Sequence, residues 1–298
     1  MEPKLRVRSS GHGGSGYRHP LDGSVVPGVT TVLRKLDKPA IAQWAVDNTA
    51  AFAVANIDAL LNRGEEQGYG FLRWYWKRDA ISGDLSDIRN YSNGVLNDAA
   101  NLGTNIHDWI AAEHGACPYP DVAEAPPYFW EMVEQWDKYK VAHDIVPLHT
   151  EVTLWSNTHG YAGTADGIWL VDGVPMLIDV KSSRNTWDEH YMQVAALGAC
   201  DSMLMETDEG EWLECEMPEI KAYGLLHIRP QDTDTKGNYK EPFCVMKFID
   251  PEEIPLHFDS FLGLLKVSHA QNKVKDIRKK ASKSVGFDDI VGKKDEEK

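Results

Sequence analysis

Apolar positions along this chain change period, from about three and a half residues in the first half to two in the second. Behind Asp37-Lys38-Pro39, a predicted helix start, Ile41, Trp44, Ala45, Phe52, Ala55 and Leu60 recur at helical spacing as far as Gly64. A second helix is predicted over residues 92–115, with Val95, Leu96, Ala99, Leu102, Ile106, Ile110 and Ala111 on its stripe. A third opens at Pro126-Pro127 and carries Trp130, Val133, Trp136 and Tyr139. Alternation then sets in over residues 146–155, with Glu151, Thr153 and Trp155 on one face and Val152 and Leu154 on the other. A hairpin follows around Asp172-Gly173. Thr186-Trp187-Asp188-Glu189 reads as a capping box for a helix with Tyr191, Gln193, Val194 and Leu197. Strands over 223–229 and 243–249, joined around Lys236-Gly237-Asn238, precede a second capping box at Asp250-Pro251-Glu252-Glu253 and a helix with Phe258, Phe261, Leu262 and Leu265. Residues 1–20, rich in Gly, Ser and basic side chains, are expected to be a flexible lead-in. Residues 23–33 form a turn followed by a short strand or the start of a helix, and disorder is expected beyond about residue 284.

The hairpin concentrates the chemistry. Asp172-Gly173 suits the positive φ angles of a two-residue type I′ turn. If Val171 pairs with Val174, counting back along both strands sets Asp166 opposite Asp179 and Thr164 opposite Lys181, on the face that carries Ile168, Leu170 and Leu177. Opposed side chains have Cβ atoms roughly 4.5–5.5 Å apart, and like charges there destabilise a sheet. A divalent cation removes the conflict: Asp166, Asp179 and the backbone carbonyl of Val180 form an oxygen-rich set suited to Mg²⁺ or Mn²⁺. The alternative is that one acid faces water, with Lys181 as a solvated partner.

Composition narrows the classes. At 298 residues, 42% hydrophobic and 26% charged, the chain can bury a substantial core. No apolar run approaches the roughly 18 residues of a membrane span and no apolar signal core opens the sequence, so a cytoplasmic protein with no membrane partner is expected. The formal charge of −15 argues against coating nucleic acid by bulk electrostatics, though not against a local basic groove. An acidic run over 201–219 reads as solvated surface; the basic run from Lys266 to Lys283 is either a phosphate contact or a tail. Trp74, Tyr75 and Trp76 interleave with Arg73, Lys77 and Arg78, a pattern used for stacking bases and more commonly for helix packing. Cys117, Cys200, Cys215 and Cys244 form no C-x-x-C pair, so neither a zinc site nor an iron–sulfur cluster is expected. His107, flanked one turn away on each side by Gly103 and Ala111, is either a boundary residue of its helix or a ligand.

The order of parts is a helix with His107, a strand with Glu151, a strand with Gly163-Thr164-Ala165-Asp166, a strand with Asp179-Val180-Lys181, and a helix with Gln193. This resembles the PD-(D/E)xK nuclease superfamily, in particular its RecB-like exonuclease branch, which includes phage exonucleases. The likeness implies a mixed α/β fold, a restriction-endonuclease-like core with a central mixed β-sheet flanked by helices, plus a helical N-terminal region. It implies a helical region over 1–91, the core over 92–271 and a charged tail over 272–298. It further implies a metal-dependent deoxyribonuclease in which His107, Asp166, Asp179 and Val180 hold Mg²⁺ or Mn²⁺. Lys181 positions or deprotonates the attacking water, Gln193 steadies the lysine or the substrate strand, and Glu151 stands near the metal. Thr164, Ser182, Ser183, Arg184 and Tyr191 are the expected DNA contacts. Leu197 departs from the branch, which has a tyrosine four residues after the glutamine. Expected partners are DNA ends and a recombinase, single-strand-binding protein or helicase, in phage or bacterial recombination, repair or end-processing. The alternatives are an endonuclease of the same fold, or an inactive nuclease-like subunit of a recombination complex.

Overall fold

The computed structural model describes residues 5–9, 14–58, 61–62, 84–234 and 237–284. Trp74, Tyr75, Trp76 and their basic neighbours lie outside the described residues, as does everything after Ser284. The chain divides into two compact units: Met1–Leu36 with His107–Lys298, and Asp37–Ile106. Among the described residues no helix is long and apolar enough to cross a membrane.

The first unit has the mixed α/β architecture expected from the sequence. Seven strands form one sheet in the order β12-β9-β6-β5-β4-β7-β8: β4 (Ile145–Ser156), β5 (Tyr161–Val171), β6 (Val174–Lys181), β7 (Ser202–Glu206), β8 (Trp212–Glu216), β9 (Ala222–Arg229) and β12 (Phe243–Phe248). All neighbours are antiparallel except β6 and β9. Parallel neighbours need a long crossover, supplied here by α5 (Asp188–Gly198) with the β7–β8 hairpin. α5, α6 (Glu253–Ser284) and the short α1 (Val29–Leu33) pack on one face of the sheet. Their shared core includes Val29, Val32, Leu154, Tyr161, Ala165, Ile168, Leu177, Val194, Leu197, Leu225, Phe261 and Leu265. On another side Trp169 of β5 meets Trp136 of α4 (Pro127–Ala142) and His114, with ring centroids 6.1 and 4.6 Å apart. Trp136 and Trp169 are almost wholly buried, and an aromatic of this size withdraws roughly 150–250 Å² from water, at most about 4–6 kcal/mol.

Residues 1–20 are not a plain lead-in. β1 (Arg6–Ser9) and β2 (Gly14–Arg18) pair antiparallel, and β3 (Val25–Pro27) completes a three-stranded sheet. Gly and Ser obscured the alternation; Leu5 and Tyr17 are the buried members, packed with Trp155, Ala162 and Leu204. β7 and β8 lie in the acidic run, where the consecutive residues Ser202, Met203 and Leu204 are buried while the acids face outward or are bonded. Ser202 Oγ and Asn157 Nδ2 both donate to Glu214 Oε1, at 2.7 and 2.9 Å. The connection around Gly237 is itself a small hairpin, β10 (Asp232–Thr233) with β11 (Tyr239–Lys240). α6 begins after Asp250, whose Oδ1 accepts the Glu252 N–H at 2.9 Å, and continues through 272–284, so this part of the expected tail is helical.

In the second unit α2 (Pro39–Ala55) starts with Pro39 in the first turn, where its missing N–H costs nothing. It is interrupted at Asn56, whose N–H bonds back to Phe52 and Ala53, and residues 57–58 and 61–62 are again helical. Phe52 stacks on Tyr91 at 4.4 Å, and Ser92 Oγ donates to the Ala45 carbonyl at 2.8 Å. α3 (Asp84–Glu113) runs from this unit into the first, and His107 is the first residue on the far side of the division.

Candidate active site

Three acids stand level on three adjacent strands. Glu151 of β4 lies between the pairs Thr150↔Gly167 and Val152↔Ala165, hence opposite Asp166 of β5. Asp166 is the next position beyond Gly167↔Ile178, on the side of Asp179 in β6. The turn is as expected: Val171 pairs with Val174, and Asp172 and Gly173 have φ of 50° and 79°.

The expected direct pairing of Asp166 with Asp179 is corrected. The β5–β6 ladder stops at Gly167↔Ile178, and Asp166 Oδ2 accepts the Val180 N–H at 2.7 Å. Parting the strands relieves the repulsion of two facing carboxylates, and one of them satisfies the backbone donor the ladder gave up. β6 is held beyond this point by β9, through Asp179↔Leu225 and Lys181↔His227. Thr164 is also corrected: its Oγ1 meets the Tyr17 hydroxyl at 3.0 Å, on the side covered by β2, and does not face Lys181. Ala165 and Ile168 both belong to the main core, an odd separation that breaks strict alternation. Beside this slip Glu151 has φ 54°, in the left-handed region that non-glycine residues seldom occupy.

The remaining side chains converge from separate elements. His107 Nδ1 is 3.4 Å from Asp166 Oδ2, brought by α3. Gln193 on α5 donates from Nε2 to Asp179 Oδ1 at 2.8 Å, and Lys181 Nζ lies 2.5 Å from Asp179 Oδ2. Asp179 is 1% exposed, so its charge is neutralised inside the protein rather than by water.

Burial and mutual repulsion govern the electrostatics. Burial pushes the Asp179 carboxyl up to about 6, against the pull of Lys181. Glu151 is pushed up to about 7 by burial and then by the charge of Asp166. Burial would raise Asp166 too, but His107 outweighs it and holds that carboxyl below its ordinary range. Lys181 is drawn down by burial and raised more strongly by Asp179 and Asp166, so it is a held ammonium and not a ready proton acceptor. His107 is likewise raised, Asp166 overcoming burial. Among the described residues no group of three or more His, Cys, Asp or Glu side chains is gathered closely enough to hold a metal ion as it stands.

Of the expected contacts beyond this cluster, Ser182, Ser183 and Arg184 lie in the loop after Lys181. Arg229 Nη1 donates to the Ser182 carbonyl at 2.7 Å, His227 Nε2 to that of Ser183 at 2.7 Å, and Arg184 makes two bonds to Asp232. Tyr191 places its hydroxyl 3.2 Å from Thr186 Oγ1 and its ring against His257. The helix cap is one residue later than expected, at Trp187, because His190 Nδ1 accepts the Trp187 N–H at 3.2 Å. Leu197 points away from this chemistry: it is 1% exposed in the core, and its Cδ2 is 2.8 Å from where a Cβ on Gly163 would stand. His227 and Arg229 were missed in the sequence; their signal was the alternate polar positions at the end of β9, level with Lys181.

No family model matches the chain, and no curated protein matches it in sequence. Among solved structures, the chain is similar to LHK-Exo in complex with dAMP, at 18% identity and a TM-score of 0.30. It is also similar to an alkaline exonuclease, LHK-Exo, from Laribacter hongkongensis, at 16% identity and a TM-score of 0.26. Each likeness covers 51% of this chain and 70% of the other.

Proposed function

We propose that this protein is a divalent-metal-dependent deoxyribonuclease, acting as an exonuclease on DNA ends in recombination, repair or end-processing. One observation carries this reading: acids on three neighbouring strands, Glu151, Asp166 and Asp179, stand level with Lys181, His107 and Gln193 at the place where β5 and β6 part. A structural sheet gains nothing from such an arrangement. Burial pushes two of the carboxyls up to about 6 and 7, and the charge of Asp166 adds to both; a cation would offset that cost.

The donor set suits Mg²⁺ or Mn²⁺. Asp166, Asp179 and the Val180 carbonyl would hold the ion, with Glu151 beside it; an ion there would also favour the neutral form of His107, whose imidazole would tilt the preference towards Mn²⁺. When bound, the ion supplies Lewis acidity towards a phosphoryl oxygen and acidifies a water. The chain's own residues do the rest. Lys181, held as an ammonium by its carboxylates, places a positive charge where the phosphate gains negative charge. Gln193 fixes the rotamer of Asp179 through its one bond and so aims the carboxylate. Asp166 keeps the β6 backbone in place through Val180.

The test is to incubate labelled linear and circular DNA with Mg²⁺ or Mn²⁺ and the parent protein, Asp179→Ala or Lys181→Ala. Degradation of linear DNA by the parent, dependent on the metal and reduced at least about 100-fold in both variants, is expected. Absence of degradation by the parent, or equal degradation by the variants, would refute the reading; cleavage of closed circles would replace exonuclease with endonuclease.

A further inference from the structure

The six residues after Lys181 do more than join β6 to α5. Each is held in place. Ser182 and Ser183 give their carbonyls to Arg229 and His227, and Ser183 Oγ donates to the Asn185 carbonyl at 2.7 Å. Arg184 spans Asp232 Oδ1, Asp232 Oδ2 and the Thr233 carbonyl at 2.7–3.0 Å, and Asp232 is steadied in turn by Arg229. Thr186 Oγ1 receives Lys247 Nζ at 3.1 Å and meets Tyr191, and the Trp187 N–H is taken by His190. At the end of this fastened segment the Trp187 side chain stands 47% exposed.

Single exposed apolar side chains are common on protein surfaces. What sets Trp187 apart is a hydrogen-bonded backbone beneath it and a lysine, Lys247, bonded to the hydroxyl of the preceding Thr186. Tyr191, the aromatic expected from the sequence to touch substrate, has its ring stacked on His257 and its hydroxyl on Thr186. Among the described residues Lys247 meets a hydroxyl and no carboxylate, which leaves its positive charge to act on an approaching phosphate. An exposed indole on a fastened backbone, with a cation bonded to the residue before it, suits an unpaired nucleobase followed by its phosphate: every base has a π-face, and a loop whose backbone is already ordered gives up little entropy on binding.

We propose that Trp187 stacks on an unpaired base of the bound DNA strand, while Lys247 meets the strand's phosphate, so that the Ser182–Trp187 loop is a preformed strand-holding platform. This rests on the nuclease reading. The test measures binding of a fluorescein-labelled single-stranded oligonucleotide by anisotropy, in Ca²⁺ so that cleavage does not intervene, for the parent, Trp187→Ala and Trp187→Phe. Trp187→Ala should weaken binding roughly 5- to 150-fold, the worth of one stacked base, and Trp187→Phe should keep most of the affinity. A series of oligonucleotides, each with one abasic site, needs no variant: with the parent protein one position should lose affinity comparably, and with Trp187→Ala that position should lose none. If the parent binds yet Trp187→Ala stays within twofold of it, or if no abasic position matters to the parent, the platform is overturned while the nuclease reading stands. If the parent neither binds the oligonucleotide nor degrades DNA with Mg²⁺ or Mn²⁺, the nuclease reading falls and the platform with it.

Discussion

Gly167 follows Asp166 directly, and the space above its Cα is already taken. A Cβ built there would overlap Cε2 and Nε1 of Trp169 and lie 2.6 Å from Cζ2. The indole cannot swing clear. It is 1% exposed, lies against His114 and Trp136, and donates from Nε1 to Thr150 Oγ1 at 3.1 Å. Gly167→Ala therefore forces a buried ring to move. Overpacking of this kind costs about 1–3 kcal/mol, and losing the bond to Thr150 adds about 1 kcal/mol, so a loss of about 2–4 kcal/mol is expected. Urea unfolding followed by circular dichroism measures it. A companion variant isolates the cause: in a Trp169→Phe background the smaller ring makes room, and Gly167→Ala should then cost less than about 1 kcal/mol, the difference being the coupling energy of the pair. A cost within about 0.5 kcal/mol of zero in the parent background, or an equal cost in both backgrounds, would refute the steric account.

Glu113 Oε2 accepts from the fully buried Trp136 Nε1 and from Lys140 Nζ, so Glu113→Ala should destabilise by about 1–3 kcal/mol by stranding the indole N–H, and Glu113→Gln by less. Burial holds the His114 imidazole below its ordinary value of 6.5, and its Nδ1 is buried without a hydrogen-bond partner. The unfolded chain takes up a proton there as pH falls through 6.5 while the folded chain resists it, so this contribution to stability is whole above pH 6.5 and is lost below it. His114→Phe should accordingly lose less stability than the parent between pH 7 and pH 5; equal losses in urea titrations at the two pH values would exclude this. Leu197→Tyr, which restores the tyrosine of the resembling nuclease branch, should lower the thermal unfolding midpoint by several degrees without raising DNA degradation, because the side chain enters the core against Gly163 and Val29 and not the acid cluster.

Local rules made the hairpin legible. The Asp172-Gly173 turn sets its own register from backbone geometry alone, and Gln193 and His107 could be placed because helices keep their period. The parting of β5 from β6 was not legible, because it arises from three acids, one of them, Glu151, on a strand whose register depends on a bulge near Pro147. Thr164 was misplaced for the same reason: alternation slips between Ala165 and Ile168, and counting by twos carries the error to every residue beyond. β1 and β2 escaped notice because Leu5 and Tyr17 are buried against Trp155 and Leu204, far away in sequence, and so carry no local signal. Leu197 shows what motif matching hides: the position is occupied by packing.

The bond from the Val180 amide to Asp166 Oδ2 ties a backbone hydrogen to the position of a side chain. Within a sheet, amide exchange with deuterated solvent ordinarily reports the opening of the ladder. Here it reports one carboxylate. A proton, an ion or a phosphate that draws Asp166 away leaves this hydrogen unprotected while its neighbours in the β6–β9 ladder stay protected, so the exchange rate of a single amide follows the state of the site in a chain that is otherwise fully folded.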